Sequence, residues 1–195
     1  MDSQWADCCT KKEKRMNRKH DMYPFPLQYD QRLLFVEKGR DGYGMPIDTF
    51  SAVVNGERLV IPSRIYERAK TIFKGRDQAE EQMWACWFSR HHNGFVREDC
   101  LRFLLRSREL RSFSIPYILK LAEEYVVELA ELILSSFAVL PGRALTRFVR
   151  ENPAWIPLMQ QRCRSYWNCY YRNRYSCFEE YPGQLIIKEL HTASR

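Results

Sequence analysis

The stretches GFVREDCLRFLL (residues 94–105) and EYVVELAELILS (residues 124–135) stand thirty positions apart and carry one pattern. Phe95 matches Tyr125, Val96 matches Val126, Glu98 matches Glu128, Cys100 matches Ala130, Phe103 matches Ile133 and Leu104 matches Leu134. Within each stretch, Val96, Cys100, Phe103, Leu104 and Val126, Ala130, Ile133, Leu134 fall at i, i+4, i+7, i+8, one face of an α-helix. The match continues through Ile115 with Leu145, Ile118 with Phe148 and Leu119 with Val149. Each copy therefore reads as a helix, a turn and a second, shorter helix, and the chain as mainly α.

On the N-terminal side of this pair, His91-His92-Asn93-Gly94 reads as a tight connection. Asp77 with Glu80 three positions later is a capping-box-like start for a helix over Gln78 to Ser89, and Ser63 can cap another through about Lys74, stopped by Gly75. The remaining helices are expected over Phe95 to Arg106, Pro116 to Phe137 with a break around Glu124, and Ala154 to Ser176. Ahead of them, Phe50 to Val54 and Arg58 to Ile61 flank Asn55-Gly56, and Asn-Gly between two β-rich runs is a strong hairpin signal. Residues 1–23 are polar and basic without an apolar face. The domain reading is a flexible basic arm over 1–23, a small β-hairpin element over 24–62 and a helical-repeat domain over 63–195.

The openings Gly94-Phe95-Val96-Arg97-Glu98 and Glu124-Tyr125-Val126-Val127-Glu128 resemble those of HEAT-like helical repeats: a turn, an aromatic or Val, then charged and small residues. The resemblance covers residues 94–152. The second copy has Val127 where the family often has a basic residue, and neither first helix has a proline. The resemblance implies short helix pairs stacked into a compact helical domain, whose groove or edge binds a partner, usually without catalysis.

Composition narrows the function classes. Hydrophobic content of 45 % and charged content of 28 % suit a globular chain with a packed core rather than a disordered one. The longest apolar candidate, Tyr117 to Leu140, is interrupted by Lys120, Glu123, Glu124, Glu128 and Glu131, so no stretch offers the roughly 18 to 20 residues of a membrane span. With no apolar run after the basic start, a cytoplasmic protein is expected. The odd count of seven cysteines fits reduced thiols. The net charge of +7 is uneven: residues 143–175 hold Arg143, Arg147, Arg150, Arg162, Arg164, Arg172 and Arg174 against Glu151 alone. Such a surplus attracts nucleic acid, anionic lipid or an acidic protein.

Few residues invite chemistry. His91 and His92, with Cys86 and Cys100 nearby in sequence, suggest a metal or a catalytic pair, yet adjacent histidines do not readily face one ion and Asn93-Gly94 accounts for the segment as a turn. Gly39 to Gly44 lacks both phosphate-loop spacings and reads as a β-turn. The vicinal pair Cys8-Cys9 sits in the polar arm. No cofactor and no metal is expected. On the helix beginning at Ala154, Trp155, Ile156, Met159, Cys163, Tyr166, Trp167 and Tyr170 fall within an arc of about 120° and form the inner stripe. Arg164, Asn168, Tyr171 and Tyr175 lie opposite with Arg172 beside them, an Arg and Tyr face of the kind that interfaces enrich and that also stacks on bases. The expected function is a non-catalytic interaction module (an adaptor, a regulatory subunit or a toxin-neutralising protein) that holds an acidic protein on that face. The alternatives are nucleic-acid binding through Arg143 to Arg174 and, third, a small enzyme using His91 or His92.

Overall fold

Asn55 and Gly56 hold φ of 57° and 85°, the left-handed pair a two-residue I′ turn requires. They join β1 (Thr49–Val54) to β2 (Glu57–Pro62) in an antiparallel hairpin whose register runs from Thr49 opposite Pro62 to Val54 opposite Glu57. The computed structural model describes residues 48–66 and 77–193. The basic arm, Cys8-Cys9, the Gly39 to Gly44 loop and most of the helix expected over Ser63 to Lys74 lie outside those residues.

The described start of that expected helix is not helical. Ser63 is engaged elsewhere: its N–H donates to Asp48 O at 2.9 Å and its hydroxyl to Asp48 Oδ2 at 3.0 Å, so it does not cap. Ile65 then pairs in a parallel bridge with His91. The chain leaves the hairpin extended because its backbone groups bond to the 90–92 turn.

Seven α-helices follow among the described residues: α1 (Gln78–Phe88), α2 (Gly94–Arg106), α3 (Ile115–Ala122), α4 (Val127–Ser135), α5 (Gly142–Glu151), α6 (Trp155–Tyr166) and α7 (Pro182–Ala193). Local chemistry sets the first two starts. Asp77 Oδ1 accepts from Glu80 N at 2.9 Å and Asn93 Oδ1 from Phe95 N at 3.0 Å, each satisfying an N–H that a helix start would leave unpaired. The span expected over Pro116 to Phe137 is two helices, α3 and α4, with Glu124 in the break. The span expected over Ala154 to Ser176 is shorter: α-geometry ends at Tyr166 and gives way to a π-type turn over Trp167–Tyr171.

The face read from the thirty-residue pattern is the inner one. Cys100, Leu104, Ala130 and Ile133 are buried, as are both members of the pairs Ile115 with Leu145 and Ile118 with Phe148, while Phe103 and Leu134 are half-buried. The architecture is mostly helical, with the hairpin at its N-terminal side. Helix α7, which the sequence reading does not include, returns to pack on α4, α5 and α6. The C-terminal part thus departs from a stack in which each unit touches only its neighbours.

Two contacts position these layers. The hairpin is held to the helices by Asn152, whose Oδ1 accepts from Val53 N at 2.7 Å and whose Nδ2 donates to Val53 O at 2.7 Å. One side-chain amide thereby satisfies both backbone groups of a strand residue. At the other end, α7 approaches α6 so closely that a Cβ on Gly183 would lie 2.6 Å from Cys163 Sγ and 3.3 Å from Ala122 O. Gly183→Ala is expected to cost about 1–3 kcal/mol, the range for overpacking, measured as a lowered melting temperature. Gly142→Ala, with nothing within 4 Å of the added Cβ, should show no loss in the same melt.

Candidate interaction surface

Glu124 gathers the most ion pairs of any residue among the described residues. It lies in the break between α3 and α4, buried, with Arg64 Nη1 and Arg90 Nη1 each 2.9 Å from its Oε1 and Arg97 Nε 3.0 Å from its Oε2. Arg90 and Arg97 are 2 % and 1 % exposed. Arg97 Nη1 also donates to His91 O and His92 O, both at 2.9 Å, and Arg90 donates to Pro62 O and Ser63 O. The exit of the hairpin, the α1–α2 turn and the α3–α4 break are thereby tied at one point. Burial alone would push the Glu124 carboxyl up, but the hydrogen bond from Arg64 and the fields of Arg90, Arg64 and Arg97 outweigh it and hold it below the ordinary carboxylate range.

Next to it, the buried Glu123 takes Lys120 and Arg162. Five cations thus meet two carboxylates, Glu123 and Glu124. Charge pairing and hydrogen bonding diverge here, since Arg90 Nη1 and Arg97 Nε sit at ion-pair distance outside hydrogen-bond geometry, and Arg97 Nη2 has no hydrogen-bond partner among the described residues.

The ion centre fixes the roots of an aromatic surface. Tyr125 follows Glu124 and is 52 % exposed; its ring meets Tyr166 edge-on at 6.4 Å, and Tyr166 stacks on Tyr170 at 6.4 Å, with Tyr170 itself 68 % exposed. Behind this row, the Tyr171 hydroxyl donates to Tyr125 O and accepts from Val127 N at 3.4 Å. Tyr175 donates to Glu131 Oε1 at 2.6 Å, and burial together with that carboxylate pushes its phenol up to about 12. Both rings also touch the buried Tyr181, at 5.8 Å and 5.6 Å.

The five residues expected to form one contact face are divided by this arrangement. Arg164, Asn168 and Arg172 are exposed, with Arg164 over the Phe178 ring at 4.3 Å and Arg172 over Trp167 at 5.1 Å. Tyr171 and Tyr175 are half-buried against α4 and Tyr181. Tyr170, placed on the inner stripe by an uninterrupted α-helix, is on the outside. The reason is the π-type turn over Trp167–Tyr171: an i→i+5 turn holds more residues than an α-turn, which moves the inward position from 170 to 171. Tyr170 and Tyr171 lie in that turn and an α-helical wheel misplaces them, while Asn168, in the same turn, is exposed as the wheel places it.

The residues considered for chemistry fall elsewhere. His91 is buried in the α1–α2 turn, where its Nδ1 accepts from Asn93 N at 3.1 Å, while the exposed His92 stacks on Tyr66 at 5.3 Å. Among the described residues, no group of three or more His, Cys, Asp or Glu could hold a metal ion. Burial pushes the Cys100 and Cys163 thiols up to about 12 and raises that of Cys86 further, so these three stay protonated and unreactive near neutral pH. Among the described residues, no helix is long and apolar enough to cross a membrane. No protein-family model matches this chain, and neither a curated protein nor a solved structure matches it.

Proposed function

We propose that this chain is a non-catalytic protein–protein interaction module, an adaptor, regulatory subunit or toxin-neutralising protein of the cytoplasm, that holds an acidic partner. The carrying observation is the row of Tyr125, Tyr166 and Tyr170, exposed at both ends and rooted in the Glu124 ion centre, with the exposed Arg162 one turn before Tyr166 on α6 and the exposed Arg164, Asn168 and Arg172 elsewhere on the same segment. Rigid aromatic rings beside arginines are what anchors an interface, because they bury large area at little entropic cost and the arginines select an acidic partner. Tyr171 and Tyr175 serve that face from behind. The paired burial of residues thirty apart supports reading α2 to α5 as two HEAT-like helix pairs beneath it.

The test uses a random peptide library displayed on phage and selected on the full chain. Asp- and Glu-rich sequences are expected to be enriched. Tyr125→Ala/Tyr170→Ala is expected to weaken the selected peptides about tenfold or more, with the melting temperature unchanged, since both rings are exposed. Enrichment of sequences without acidic residues, or affinity indifferent to the two tyrosines, would refute the reading.

A further inference from the structure

A second surface of different chemistry lies at the other end of the hairpin. Asn55, in the β-turn, donates from its backbone N–H to Glu151 Oε2 at 2.8 Å and from Nδ2 to Ser112 Oγ at 2.8 Å. Three segments therefore meet at one corner: the hairpin turn, the loop entering α3 and the last turn of α5. Exposed arginines stand along these three segments, Arg58 beside the turn, Arg108 and Arg111 in the loop, and Arg150, Arg147 and Arg143 running back along α5 from that contact, with the exposed Glu57 and Glu109 among them. On α5 they stand at i, i+4 and i+7, opposite the buried Leu145 and Phe148. Among the described residues, Arg147 alone of the six has a carboxylate at ion-pair distance, Glu151 at 2.8 Å.

This corner suits phosphate better than protein. A protein interface is centred on an apolar or aromatic anchor. The exposed large apolar side chains among the described residues are Tyr66, Phe95, Tyr125, Val139, Leu158 and Tyr170, and none belongs to the hairpin turn, the loop over 106–112 or α5. The same lack removes the stacking platform on which single strands depend. The charged side chains there are six arginines against Glu57, Glu109 and Glu151, a surplus of three positive charges, and arginine's planar fork matches phosphate oxygens. The three arginines of α5 extend along about 10 Å of helix axis, room for about three phosphates of one strand at the roughly 3.4 Å rise of a duplex. We infer that this corner binds the phosphate backbone of double-stranded nucleic acid without reading its bases.

The experiment is fluorescence anisotropy of the full chain with a labelled random-sequence DNA duplex of about 20 base pairs over a salt series. The logarithm of affinity is expected to fall linearly with the logarithm of salt. Arg143→Gln/Arg150→Gln removes two arginines that have no described ionic partner, and it should weaken binding about tenfold and flatten the slope by about 1.8, or about 0.9 for each lost phosphate contact. Arg108→Gln/Arg111→Gln should act in the same direction. Arg164→Gln/Arg172→Gln, an equal loss of charge on the tyrosine side, should leave the slope unchanged, as should Tyr170→Ala, which separates this surface from the one proposed above. Four results would overturn the inference: no binding by the unaltered chain, an unchanged slope in the α5 variant, an equal loss in the control variant, or displacement of the duplex by poly-glutamate at equal charge concentration. The last would make the corner a site for an acidic protein.

Discussion

Glu124→Gln is expected to destabilise the fold by about 3–5 kcal/mol, since removing one partner of a buried ion pair strands the other charge. Here it strands three. Arg90 and Arg97 are almost fully buried and neither can turn to water without breaking its bonds to the 62–63 and 91–92 carbonyls. Chemical denaturation of the variant measures the loss, and an unchanged midpoint would show that the carboxylate is not the counter-charge. Adding Arg97→Met should recover part of it, because one stranded cation goes with its partner. The same centre sets an acid limit. The Glu124 carboxyl lies below its ordinary value in the folded chain, so its contribution is fully present above the unfolded value and is lost as pH falls through the folded one. Stability should therefore drop on acidification below the ordinary carboxylate range. Glu124→Gln, which has no proton to gain at this position, should flatten that part of the pH profile.

Ile133→Ala is expected to cost about 2–5 kcal/mol, as a large-to-small change in a filled core does. Ile133 is fully buried on α4, the helix against which both α3 and α7 pack, so the cavity would open between elements that cannot close it independently. Phe103→Ala, at the matching position thirty residues earlier, should cost less, because Phe103 is half-buried. Thermal melts of the two variants decide it: an Ile133→Ala loss no larger than that of Phe103→Ala would place the centre of the core elsewhere.

Much of the fold is legible where one local signal suffices. Asn55-Gly56 names its turn through the left-handed backbone, Asp77 names a helix start, and the i, i+4, i+7, i+8 pattern finds the inner faces of α2 and α4. Partners distant in sequence are not legible. Glu123 and Glu124 read as interruptions of an apolar run, and nothing local says that Glu124 gathers arginines from residues 64, 90 and 97. Ser63 reads as a cap because the competing acceptor, Asp48, lies across the hairpin. Helix α7 does carry signals that could find it: Pro182 in its first turn, and Leu185, Ile186, Ile187 and Leu190 with helical spacing. The candidate site is half-legible. The Arg and Tyr content of residues 164–175 marks the region, but which rings face water depends on one turn's departure from α-geometry.

That departure makes the surface sensitive to chain length rather than to residue identity. Tyr166, Trp167, Tyr170 and Tyr171 are four aromatic rings in a row of six positions, and the π-type turn acts as an index that assigns each to water or to the interior. A π-type turn is one residue absorbed into a helix, so loss of Asn168 or Cys169 would restore ordinary helical spacing with Tyr171 still facing inward. The turn therefore adds one position to this face without re-aiming the ring that follows it, so insertion or deletion there changes what the face displays while Tyr171 keeps its seat.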